Sequence, residues 1–153
     1  MRLLQHAMSQ DSNLVVLLGD VGYGLFDEIR NSYPKRCINV GSSEQLMIGM
    51  AVGMVLEGKK ILCYSITPFL LYRPFEFIRN YLNFERIPVK LVGSGRDKDY
   101  SSAGFTHHSV EAKDIISIFA NIESYFPSNS KDLEMDFMQF LKSSRPAFLS
   151  LKR

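Results

Sequence analysis

The sequence predicts an α/β fold: a three-layer, doubly wound, mostly parallel sheet with helices on both faces. Three observations carry this. Short apolar runs of strand length alternate with helix-length segments along the whole chain. Gly, Pro or polar residues end most of these runs, as at Gly19-Asp20, Pro34 and Gly58. The length of 153 residues and the 46% hydrophobic content suit one core, and no repeat, low-complexity tract or linker divides the chain. Residues 1–153 are therefore read as a single domain.

The elements follow in order. Leu14–Leu18 is a short apolar strand. Leu25–Tyr33 reads as a short helix, stopped by Pro34. Arg36–Val40 is strand-like. Glu44–Glu57 is helical and ends at Gly58. Lys60–Ser65 is a strand. Pro68–Asn83 reads as one long helix, with Pro68 tolerated in its first turn. Pro88–Gly93 is a strand, and the polar, Ser-rich Asp97–His108 is a loop. Ala112–Ala120 is helical, Ile122–Phe126 extended, Asp132–Ser143 helical and Ala147–Leu151 a final strand. In such a sheet, ligands bind in the loops after the carboxyl ends of the strands. Glu44, Phe69 and His107 all fall just after strands.

Composition narrows the function classes. Eighteen Lys and Arg against 16 Asp and Glu give a net charge of +2, with no basic tract for nucleic acid or a membrane surface. No run reaches the 18 or so apolar residues of a membrane span. Residues 1–10 carry His6 and Gln10 and lack the apolar run of a secretory signal. Cys37 and Cys63 lie in apolar strands, as reduced core thiols of a cytoplasmic protein do. Gly19-Asp20-Val21-Gly22-Tyr23-Gly24 matches neither common phosphate-loop spacing and reads as turn glycines.

Glu44 is the residue that asks for explanation. It opens a helix with no charge from Leu46 to Leu56. A buried carboxylate is costly unless paired. One reading is capping: Ser42 and Gln45 have capping-box spacing, and an acid in the first turn suits the helix dipole. The other is a catalytic carboxyl facing a cofactor. The helix is apolar on every side, so it asks for cover on every side. Gly49 and Gly53 share a face that permits close approach, either of the domain's own sheet or of a second subunit.

Two segments together resolve the choice. Val40-Gly41-Ser42-Ser43-Glu44-Gln45-Leu46-Met47-Ile48-Gly49-Met50-Ala51-Val52-Gly53 resembles the VG-x-x-EQ-x-M-x-G-x-A-x-G pattern of the pyrimidine-binding (Pyr) domain in the transketolase family of thiamine-diphosphate enzymes. Gly104-Phe105-Thr106-His107-His108-Ser109-Val110-Glu111 resembles that family's G-P-T-H-[HQ]-x-x-E loop. Between them, Ser65–Leu70 and Ile87–Ser94 resemble its aromatic wall and next strand. The resemblance runs from about Asn13 to Arg153.

It implies a set of roles. Thiamine diphosphate loses the C2 proton of its thiazolium ring to its own aminopyrimidine in the imino form, which an acid on N1′ favours. A carboxyl in a low-dielectric pocket can keep and share a proton near neutral pH. Glu44 takes that place. Phe69, with Tyr72 second, forms the wall against the pyrimidine. His107 approaches the sugar substrate near the reacting carbon. Apart from the resemblance, Arg73, a few residues beyond Phe69, reads either as a guanidinium fork for a substrate phosphate or as a surface arginine. No metal site is expected from His107-His108, since adjacent histidines point apart and the remaining His6 is distant.

Three departures shape the expectation. The Gly-Asp-Gly…Asn motif that holds the Mg²⁺-diphosphate is absent, and belongs to a separate diphosphate-binding (PP) domain. The family's third domain is absent too. Ser101, Ser102, Ala103 and Phe105 replace the acids and proline of the family loop. The chain is thus expected to be the Pyr subunit of a split transketolase-like transferase, performing ketol transfer or carboligation on a sugar or 2-oxo acid. A PP subunit would supply the Mg²⁺ site. The helix after the glutamate lies at the dimer interface in that family, which implies a homodimer or higher oligomer. The rival is a non-catalytic Pyr-like protein that only binds a partner subunit.

Overall fold

The computed structural model describes residues 1–153. One sheet contains β1 (Leu14–Leu18), β2 (Cys37–Asn39), β3 (Lys60–Ile66), β4 (Lys90–Ser94), β5 (Glu123–Tyr125) and β6 (Ala147–Leu151). The strand order is β2-β1-β3-β4-β6-β5 and every pairing is parallel. β1 is buried at all five positions, as a strand covered on both faces must be. The period-two side-chain alternation splits the core in two. Val15, Leu17, Ile61 and Leu91 face one side, and Leu14, Val16, Leu62 and Val92 the other. This is the three-layer, doubly wound sheet that the alternation predicts.

The first face carries α3 (Glu44–Leu56), α4 (Thr67–Tyr72), α5 (Phe75–Phe77) with the π-helical Ile78–Phe84, and α6 (Ala112–Ser117). The second carries α1 (Arg2–Gln10), α2 (Asp27–Ser32) and α7 (Ser130–Lys142). Asn129 caps α7, its side chain accepting from the backbone N–H of Lys131 and Asp132. At the other end of α7, the buried Lys90 ammonium donates to the carbonyls of Ser143 and Arg145. No helix is long and apolar enough to cross a membrane. Cys37 and Cys63 are both buried free thiols, and burial pushes each thiol pKa up.

The structure corrects three expectations. α1 is a helix where no element was expected; Leu4 and Met8, one turn apart, seat it on the sheet. The long helix Pro68–Asn83 is broken at Arg73-Pro74, because Pro74 lacks an N–H and its ring clashes with the preceding turn. The expected loop Asp97–His108 contains 3₁₀ turns at Ser101–Ala103 and Phe105–His107. Within the chain, α3 is covered on one side only. Glu44, Met47, Ile48, Ala51 and Val52 are buried against the sheet, while Leu46 and Leu56 stay 57% and 71% exposed. The clearance at Gly49 is used within the chain: a Cβ there would lie 3.3 Å from the Phe77 ring, whereas one at Gly53 would meet nothing within 4 Å.

Candidate active site

The order of strands reverses between β1 and β3, and the carboxyl ends at that point form the crevice where doubly wound sheets bind ligands. Three backbone segments converge there. β1 ends at Gly19, β3 runs through Ser65, and the crossover after β2 delivers Glu44. The Glu44 side chain is fully buried. Its Oε1 accepts from Ser65 Oγ at 2.8 Å, and its Oε2 accepts from Arg73 Nη1 at 2.6 Å. Gly19 provides the clearance: a Cβ there would stand 2.9 Å from Ser65 Oγ and 3.1 Å from Glu44 Oε1.

Glu44 does sit in the first turn of α3, where an acid suits the helix dipole, but the capping box does not form. Ser43, not Ser42, is the N-cap of α3, and it makes no side-chain capping bond. The Glu44 carboxyl points inward to Ser65 and Arg73 rather than back to the helix amides. Placing a carboxylate here costs desolvation, which a hydroxyl donor and a cation offset.

Arg73 links the carboxyl to an aromatic pair. Its guanidinium carbon lies 3.9 Å from the Phe69 ring centroid, over the ring face. Phe69 and Arg73 lie four residues apart, around the end of α4, which brings them together. The Phe69 ring meets His107 edge-on, with centroids 5.0 Å apart. Thr67 holds the start of α4 in place, its hydroxyl donating to the Gly95 carbonyl at 2.7 Å. Ser109 donates to the same carbonyl at 3.0 Å and bridges to Asp97, which pins the loop bearing His107. Thr106 Oγ1 lies 3.0 Å from His107 Nδ1.

Four of the five residues expected from the sequence thus form one contiguous chain: Glu44, Arg73, Phe69 and His107. Tyr72 stands apart. It packs among the apolar residues under α6, its hydroxyl buried without a hydrogen-bond partner. Burial, with Glu111 nearby, pushes its pKa up. Arg73, expected to meet a substrate anion, instead lies on Glu44 and Phe69 here, with its side chain 44% exposed. Beside it opens a cavity of about 540 Å³, lined by Ser42, Ser43, Glu44, Gly49, Arg73 and Phe77 among others.

Sequence reasoning missed Ser65 and Gly19. Ser65 leaves a faint trace as a polar residue near the end of a strand that is otherwise apolar after Lys60. The glycine after β1 reads as an ordinary strand stop. Nearby, Asp20 adopts a left-handed backbone (φ 57°) and accepts from Tyr23 and Asn39. Those hydrogen bonds hold its carboxyl below the usual carboxylate range, Tyr23 contributing most. This agrees with the turn reading of Gly19–Gly24. No three His, Cys, Asp or Glu side chains converge as a metal-ligand set.

A family model described as "Transketolase, pyrimidine binding domain" matches residues 1–153. The 6-deoxy-6-sulfo-D-fructose transketolase subunit SqwH of a Clostridium species is 30% identical over 152 residues, covering 99% of this chain and 47% of that protein. An apulose-4-phosphate transketolase subunit of Actinobacillus succinogenes is 29% identical over 119 residues, covering 78% of this chain and 38% of that protein. A solved split-gene transketolase, in an inactive β4 tetramer, superposes with a TM-score of 0.86 at 21% identity, covering 99% of this chain and 49% of that one. This last likeness is one of fold. The chain spans about half the length, or less, of the proteins it matches.

Proposed function

The chain belongs to the transketolase pyrimidine-binding domain family, and on that premise we propose that it forms the pyrimidine-facing half of a thiamine-diphosphate site in a split transketolase-like transferase. The observation that carries the proposal is the fully buried Glu44 carboxyl, joined to the Phe69 ring through Arg73 at the carboxyl end of the sheet. Relatives named as transketolase subunits support the subunit role.

The residues fit one end of the cofactor. A flat heteroaromatic ring with a basic nitrogen asks for a carboxyl in its plane and an apolar face beneath it. Glu44 and Phe69 supply these, and Gly19 leaves the carboxyl its room. The diphosphate end asks for a cation with oxygen ligands. We assign that end and its Mg²⁺ to a separate PP subunit, so the complete site lies between two chains. When bound, thiamine diphosphate supplies a carbanion equivalent that carries the ketol unit.

Each residue has a role in this reading. Glu44 holds or shares a proton at N1′ of the pyrimidine. Ser65 fixes the carboxyl's rotamer through Oε1. Phe69 supports the ring face. His107, half-buried on the edge of Phe69, hydrogen-bonds the substrate and moves a proton near its reacting carbon. Arg73 reaches a substrate anion once it leaves Glu44. The exposed side of α3, carrying Leu46 and Leu56, is the assembly face, for a second copy or for the PP subunit. The substrate class is a ketose or 2-oxo acid. Co-expression with a protein bearing Gly-Asp-Gly…Asn, followed by assays of thiamine diphosphate binding and ketol transfer, tests the proposal. Failure to associate with, or activate, any such protein would refute it.

A further inference from the structure

We propose that Arg73 is the resident occupant of the pyrimidine position, and that the ring enters by exchange with it. The inference rests on the reading of Glu44 and Phe69 given above. A guanidinium is a flat, delocalised cation that stacks on aromatic faces and bonds carboxylates through its N–H edge. Arg73 does both at once: its carbon lies 3.9 Å over the Phe69 centroid, and Nη1 donates to Glu44 Oε2 at 2.6 Å. Those are the two contacts an aminopyrimidine needs, a planar face on Phe69 and an N–H or protonated nitrogen on Glu44. One face of one ring cannot hold both.

The geometry also supplies a way out. The Arg73 side chain is 44% exposed and borders the cavity of about 540 Å³ at the start of α3. Its backbone is in the ordinary helical region (φ −62°, ψ −47°), which restricts the side chain to no unusual rotamer. Glu44, by contrast, has no solvent to fall back on. While the pocket is empty, Arg73 keeps the carboxyl paired and the Phe69 face covered. An entering ligand must replace a donor with a donor, or leave a buried carboxylate unpaired. Arg73 therefore sets specificity: flat ligands with a donor edge displace it, and flat ligands without one do not.

Thiamine is the probe, titrated into the isotopically labelled 153-residue chain and followed by backbone and arginine side-chain NMR. In the unaltered protein, thiamine should shift Phe69, Ser65 and the Arg73 guanidinium signals together. Arg73→Ala removes the competitor and should tighten thiamine binding by about ten-fold, a charge-assisted bond discounted for exposure. Arg73→Lys keeps the cation without the flat fork and should give a smaller gain; it answers the same question if Arg73→Ala does not fold. Free guanidinium should compete with thiamine in Arg73→Ala and not in the unaltered chain. If thiamine shifts Phe69 and Ser65 but Arg73→Ala binds it no more tightly, exchange is overturned while the pyrimidine site stands. If thiamine shifts neither residue in any of these proteins, the pyrimidine site falls, and exchange with it.

Discussion

The Ser65 hydroxyl donates to Glu44 Oε1 at 2.8 Å across 21 residues of sequence, and Gly19 lies against both partners. The carboxyl is thereby fixed from the strand side before any ligand arrives. Its direction depends on a side chain being absent from position 19.

A methyl group at Gly19 is therefore the smallest change that should disturb the pocket. It would stand 2.9 Å from Ser65 Oγ, too close to be accommodated without movement. Gly19→Ala should cost about 1–3 kcal/mol, the range of an overpacked core. In thermal unfolding that is a fall of roughly 2–12 °C for a chain of this size. Thiamine affinity, read by calorimetry, should fall with it. An unchanged melting temperature and affinity would show that the carboxyl has slack.

The two glycines of α3 should behave differently. Gly49→Leu would strike Phe77 within the same chain and should lower stability. A Cβ at Gly53 meets nothing within 4 Å, so Gly53→Leu should fold normally. If the open side of α3 is the assembly face, Gly53→Leu should nonetheless shift the sedimentation profile toward monomer. Sedimentation of the unaltered chain as a strict monomer would remove α3 as a self-association face.

Lys90 gives a pH dependence of known sign. Burial lowers its ammonium pKa to about 8, against 10.5 for the free side chain. Between those values the unfolded chain binds more protons than the folded one, so this group's contribution to stability rises with pH. Below pH 8 both states are protonated and its penalty is constant. The stability difference between the unaltered chain and Lys90→Met, from urea unfolding, should thus move in favour of lysine from pH 7.5 to pH 9.5. The comparison cancels the opposing cysteines, which favour the unfolded state as pH rises past 9. A flat difference would mean that Lys90 titrates normally.

His107 touches the Phe69 ring, whereas the Glu44 carboxyl is bonded to Ser65 and Arg73. His107→Ala in the reconstituted enzyme should lower kcat/KM for the sugar by at least about ten-fold, while thiamine diphosphate affinity changes only a few-fold. Collapse of cofactor affinity with unchanged sugar kinetics would instead make His107 part of the wall alone.

Much of this is legible in the sequence, for identifiable reasons. All six strands lie within two residues of where the sequence places them; the central strands are the clearest, because a strand buried on both faces must be apolar nearly throughout. Glu44 is visible as a lone acid at the start of an uncharged helix, and His107 and Phe69 by their place after strands and by resemblance. The break at Pro74 escapes the reading, because the apolar spacing on either side of the proline is that of a continuous helix. What linear spacing cannot carry is pairing across the fold. Nothing in Ser65 or Arg73 announces that the β1–β3 register and the end of α4 bring both to Glu44. Arg73 reads as a cation free to meet an anion because its partner is 29 residues away.

The central claim is that Glu44 acts on the cofactor's pyrimidine, and turnover of Glu44→Gln tests it most directly. Glutamine keeps the shape and can still bond Ser65, but cannot give or share an acidic proton. With the PP subunit present and thiamine diphosphate saturating, kcat for ketol transfer should fall by about 10²–10⁴-fold, with folding and assembly intact. A Glu44→Gln complex turning over at close to the unaltered rate would contradict the account.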